Sequence, residues 1–245
     1  MSAGWWWLLP WDFSPTVLGA SLLAAWWYRR ASAGLTLWRR TCFWIGMLLL
    51  YGALQSGLDY YADHAFFIHR IQHMLLHHLG PFLVALGLPP LKVGAWTRYP
   101  WLSAGLFNGL VLFWLAPAVH FPAMLDGRLY RVMNWSIALT GLLFWMTVLG
   151  ATALNAGRRI VLMLAVIPVQ IAVGALIFLA GNDLYPVYSL CGRAFGMTAL
   201  QDQQLGGLIL WIPGAMMSVA GILIVALPGI RASRAPASVR PDLPA

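Results

Sequence analysis

The stretch I-V-L-M-L-A-V-I-P-V-Q-I-A-V-G-A-L-I-F-L-A, from Ile160 to Ala180, holds no charged residue and a single amide, Gln170. About 20 residues of helix cross about 30 Å of hydrocarbon, so a run of this kind reads as a membrane span. Lipid offers the backbone no hydrogen-bond partner, which makes the span a helix. Short alternating segments, the mark of a membrane β-barrel, do not occur in the sequence. Working outward from this run, similar blocks give candidate spans at 14–28, 41–58, 66–88, 101–119, 132–152, 160–180 and 205–228. The expected fold is an all-α integral membrane protein, a bundle of seven transmembrane helices. Residues 1–228 form one polytopic domain, and the Ala-, Pro-, Ser- and Arg-rich tail 229–245 is expected to be disordered.

Composition agrees. Of 245 residues 61% are hydrophobic and 9% charged, whereas soluble domains carry about 25% charged residues. A net charge of +8 would suggest nucleic acid in a soluble protein. Here the basic residues lie in short loops between spans, where they set orientation, so no nucleic-acid partner is expected. Cys42 and Cys191 form no CxxC and give no zinc or thioredoxin-like signature. The start, MSAGWWWLLPW, lacks a basic n-region, so no cleaved signal peptide is expected. Tryptophans mark span edges at Trp5, Trp6, Trp7, Trp11, Trp26, Trp27, Trp96 and Trp101, as the headgroup interface favours.

Orientation follows from Lys and Arg. Arg29, Arg30, Arg39, Arg40, Lys92, Arg98, Arg158, Arg159, Arg231, Arg234 and Arg240 put 11 of 15 basic residues on one side, which becomes cytoplasmic. The N-terminus is then outside and the C-terminus inside. Asp12, Asp59, Asp63, Asp126, Asp183 and Asp202 fall at the outer side, as do all six histidines. A site built from His and Asp would therefore open outward.

The densest constellation is D-Y-Y-A-D-H-A-F-F-I-H-R-I-Q-H-M-L-L-H-H-L-G-P, Asp59 to Pro81. His69, His73 and His77 recur every fourth residue, which puts them on one face of an α-helix. Two imidazoles four residues apart can share one metal ion. His69 and His77 lie about 12 Å apart along the axis, too far for one ion. Either one pair binds an ion with ligands from other spans, or the three form a ladder of sites. The alternative is that they hydrogen-bond to neighbouring helices and only pack. Pro81 withdraws the partner of the His77 carbonyl, so a kink with a free carbonyl is expected there. His78 projects about 100° from His77 and reads as structural. His64 and His120 sit at outer loop edges, where a solvated histidine is the default. Met74, Met124, Met133 and Met197 also lie in the outer half, and thioether sulfur suits Cu(I).

A second motif, A-L-Q-D-Q-Q-L-G-G-L-I-L-W, runs from Ala199 to Trp211. Asp202 can cap the helix that opens here, and Gly206 with Gly207 can allow close helix packing. The three consecutive polar side chains can also reach a site shared with span three.

His69-x-x-x-His73 followed by a Gly-Pro-containing apolar run and Gly87-Leu88-Pro89, taken with Asp202-Gln203-Gln204-Leu205-Gly206-Gly207 and Trp211, resembles the multi-span CtaG-type cytochrome c oxidase assembly family. The resemblance covers roughly Asp59 to Leu227. It implies a role in maturing a haem–copper oxidase at the copper step, in a bacterial plasma (inner) membrane. Members often carry further histidines at the start of the fifth span, where this chain reads Arg131-Val132-Met133-Asn134-Trp135-Ser136.

The first functional expectation is an assembly factor that holds or passes copper at the outer face. Its metal ligands would be His69 and His73, with His77 as third ligand or relay. Asp59, His120, Asp202 and Gln203 would be outer-shell or alternative contacts. Cytochrome c oxidase subunits, other copper-handling proteins and membrane lipid are the expected partners. The second is a membrane cytochrome with histidines as axial haem ligands, which needs histidines facing one another from two spans. The third is a transporter or a non-metallic scaffold. No nucleophile–base pair and no phosphate loop is present, so catalysis is not expected.

Overall fold

The computed structural model describes residues 13–89, 98–150, 154–190 and 192–234, with side chains described as far as Pro228. Trp5, Trp6, Trp7, Trp11, Asp12, Lys92, Trp96, Cys191, Arg240 and Asp242 lie outside the described residues. The described chain is helical, in the order α1 (Pro15–Ala31), α2 (Leu37–Gln55), α3 (Gly57–Ala62), α4 (Phe66–Met74), a π-helical turn (Leu75–Leu79), α5 (Gly80–Gly87), α6 (Pro100–Leu115), α7 (Pro117–Leu125), α8 (Gly127–Trp145) with a π-helical end (Met146–Gly150), α9 (Ala156–Leu179), α10 (Val187–Leu190) and α11 (Ala199–Arg234). No strand occurs among the described residues.

Helices occupy each of the seven predicted stretches, but they are not equally able to cross a bilayer. Gly127–Gly150, Ala156–Leu179 and Ala199–Pro228 are long and apolar enough by themselves. A fourth candidate is the pair α6 and α7, bent by 74°. The structure thus supports three or four spans by length and composition. Span four was expected over 101–119 as one helix. Instead it breaks at Ala116, because the residue before Pro117 is driven out of the α region. The last helix continues past Pro228 to Arg234.

Local signals set the starts. Asp126 accepts hydrogen bonds from the Arg128 and Leu129 N–H groups and caps α8. Asn155 caps α9 through Arg158 N–H. Thr198 and Gln201 bond reciprocally at the head of α11, a capping box. With its own helix capped in that way, Asp202 is released for other work.

Packing differs from that of a soluble protein in that polar side chains share the interior with apolar clusters while many large apolar side chains face outward. Leu22, Leu37, Leu48, Leu164, Leu176, Leu179 and Met216 are exposed, while His69, Arg70, Gln72, His73, Asn134, Gln170, Asp202 and Gln203 are buried. Large exposed apolar surface of this kind suits a lipid environment. Glycines bring backbones together. A Cβ on Gly207 would lie 2.8 Å from the Gly174 carbonyl, so α9 and α11 meet backbone to backbone. Gly206 is closed over by the Phe66 ring.

Candidate functional site

Pro81 shapes the middle of the histidine helix. Its missing N–H leaves the helix to widen, and Gly80 N–H bonds the Leu75 carbonyl five residues back. The His77 carbonyl was expected to be free. It instead accepts a hydrogen bond from Trp145 Nε1 at 3.1 Å. The backbone approach is close because α8 presents Gly141, where a Cβ would lie 2.5 Å from that carbonyl oxygen.

The π turn changes the setting of the third histidine. His69 and His73, both buried, have ring centroids 4.3 Å apart. His77 lies within the wider turn and borders the same small cavity as His73. Its ring stacks on Phe107 at 3.8 Å and meets His78 at 5.0 Å. His77 and His78 thus form a second, deeper pair.

Around the first pair the contacts differ from ring to ring. His73 Nε2–H donates to Asn134 Oδ1 at 3.0 Å, which leaves Nδ1 with the lone pair. Neither ring nitrogen of His69 has a well-formed hydrogen bond among the described residues, with the Ala62 carbonyl as a loose backbone contact. His120 was expected to be solvated, yet it is fully buried. The bend between α6 and α7 folds it inward, 5.3 Å from His69 and at right angles to it. Both its nitrogens are engaged: Nδ1–H donates to the Trp114 carbonyl and Nε2 accepts from the Tyr188 hydroxyl, each at 3.0 Å. His64 stays at the surface, bonded to the Tyr60 carbonyl.

Asp202 joins the two sequence motifs. Its oxygens accept from Phe66 N–H at 3.0 Å and Phe67 N–H at 2.8 Å, at the start of α4. It caps the histidine helix rather than its own, and Arg193 pairs with it. Arg193 also reaches Asp183 at 3.1 Å. Gln203 turns elsewhere: it accepts from Leu184 N–H at 2.7 Å and donates to the Ile177 and Asn182 carbonyls, holding the loop after α9. Asp59 accepts from Gln72 Nε2 and the Tyr130 hydroxyl. The Tyr130 ring stands 6.0 Å from that of His69, so Asp59 acts one residue away from the pair. Of the methionines, Met133 is sealed in the core and Met74 borders a cavity beside His73.

Asn134, Tyr188 and Arg70 complete this interior and were not singled out from the sequence. Asn134 supplies the contact from the fifth predicted span, in the segment that lacks histidine. Arg70 had a signal, a cation inside an apolar helix. No group of three or more His, Cys, Asp or Glu side chains suited to a metal ion occurs among the described residues. Chemically, His69 and His73 offer imidazole lone pairs from one helix turn in a water-poor interior. Two such donors suit a soft ion that tolerates few ligands.

The architecture and its interior define a helical protein with three or four helices long and apolar enough to cross a membrane, and a histidine-lined core. The chain belongs to the cytochrome c oxidase caa3 assembly factor family, whose model matches residues 20–232. No curated protein and no solved structure matches it.

Proposed function

We propose that this chain helps to mature a caa3-type cytochrome c oxidase by holding copper at the outer side of a bacterial plasma membrane. In this reading seven helices cross the bilayer as one polytopic domain, with the N-terminus outside and the C-terminus in the cytoplasm. The contact between His69 and His73, with no well-formed hydrogen bond holding either His69 nitrogen among the described residues, is the observation that carries the reading. The two imidazoles would hold the ion, and cuprous copper is the cargo they suit. Asn134 fixes the His73 ring, and a second-shell bond of this kind orients a ligand. His120 and Tyr188 cover the pair from outside, and Asp202 fixes the turn from which it projects. An oxidase subunit or another copper-handling protein would receive or supply the ion.

Haem fits less well. The cavity beside His73, His77 and His78 has room for about one water, about 20 Å³, and none for a macrocycle.

The test is metal analysis with an optical spectrum on protein purified after copper supplementation. Wild type should carry copper. His73→Ala should lose most of it and lower the copper content of the oxidase at equal membrane abundance. His78→Ala should do much less. Wild type without copper, together with normal oxidase copper in His73→Ala, would overturn the reading. A haem absorption band would replace it with the cytochrome alternative.

A further inference from the structure

Arg70 is buried to 4% exposure between the histidine pair and Phe66, and among the described residues no carboxylate pairs with it. Its Nε and Nη2 atoms have no hydrogen-bond partner there. These two N–H groups share one edge of the guanidinium and point the same way, the fork that grips one anion side-on. Arg70 borders the small cavity that His77 and His78 also line. His77 Nε2 and His78 Nδ1 are likewise buried without partners. Four orphaned atoms capable of donating thus belong to three residues around one space, and no acid lines it.

We propose that Arg70, His77 and His78 bind one small monovalent anion, chloride being its simplest form. Charge decides the sign. An uncompensated buried cation costs several kcal/mol, so Arg70 without a carboxylate favours an anion at its free edge. Size decides the class. About 20 Å³ admits one water-sized or halide-sized occupant and excludes phosphate esters and lipid headgroups. Imidazole suits the role because each neutral ring turns one N–H toward the occupant. His73 also borders this cavity, but the anion site uses none of its atoms and does not depend on copper being bound.

The experiment uses the full chain, purified copper-free in detergent. Binding of radiolabelled chloride is measured by equilibrium dialysis, and thermal unfolding is followed as chloride replaces gluconate at constant ionic strength. Saturable binding of one chloride per chain is expected, with a melting temperature that rises and then levels off as chloride increases. Arg70→Lys keeps the charge and loses the fork, so it should bind about tenfold more weakly or worse. His77→Phe keeps the stack on Phe107 and loses a donor, and should also weaken binding. No saturable binding, or wild-type affinity in both variants, overturns the proposal. If Arg70→Lys does not fold, the wild-type melting series decides alone: a saturating rise supports the site and a flat series removes it.

Discussion

The Asp202 carboxylate on α11 accepts the Phe66 N–H at the start of α4, across 136 positions of sequence, at 3.0 Å. One side chain therefore holds the head of the histidine helix, and Phe66 in turn seats its ring over Gly206 beside it. The bond is charged, buried and shared with Arg193.

Asp202→Ala should be severe. It leaves Arg193 without this partner and two N–H groups without acceptors. Removing one partner of a buried pair costs about 3–5 kcal/mol. Thermal unfolding in detergent should show a large fall in melting temperature, with a smaller fall for Asp202→Asn, which keeps an acceptor oxygen. Wild-type stability in Asp202→Ala would show that the cap holds nothing.

Trp145→Phe tests the repair made for Pro81. The substitution keeps an aromatic ring and removes the donor to the His77 carbonyl. An unsatisfied buried carbonyl costs about 1–3 kcal/mol. The expected result is a stability loss of that size, with far less loss once Pro81→Ala restores an N–H to the helix. An equal loss in both backgrounds would assign the effect to packing instead.

Asp63, in the turn before α4, has its pKa pushed up to about 7 by burial and then by the neighbouring Asp59 carboxylate. The unfolded chain ionises this group near pH 4, about its ordinary value. Between these two values the folded state holds a proton that the unfolded state has released. Stability from this residue therefore falls as pH rises from about 4 to about 7, then stays level. Asp63→Asn should flatten that part of the melting profile and raise stability at pH 8. A profile unchanged by the substitution would refute the assignment.

Topology can be read with reporter fusions. The C-terminus should report inside, and the loops at Asp63 and Asp183 outside. Labelling of the C-terminus by an impermeant reagent in intact cells would reverse the orientation and turn the histidines toward the cytoplasm.

The sequence by itself determined the helical class and the positions of the helices, because hydropathy and length are properties of contiguous residues. It also marked His69, His73 and Asp202, since spacing on one helix is local geometry. It placed Pro81 correctly as the irregular point of that helix. The outcome there was decided by tertiary structure: a π turn formed, and Trp145 from another helix bonded the carbonyl. His120 read as solvated because a loop edge is normally wet. The bend at Ala116, which turns α7 by 74° from α6, made it buried. Asp202 read as a cap of its own helix or a contact to the third span. Its actual target depends on how α11 lies against α4, which the glycines allow and no local pattern specifies. Arg70 stood in plain view in the histidine run, but burial without a carboxylate partner is a property of everything packed around it. Contacts between distant segments arise when whole faces are buried together, and so the interior was decided by the fold.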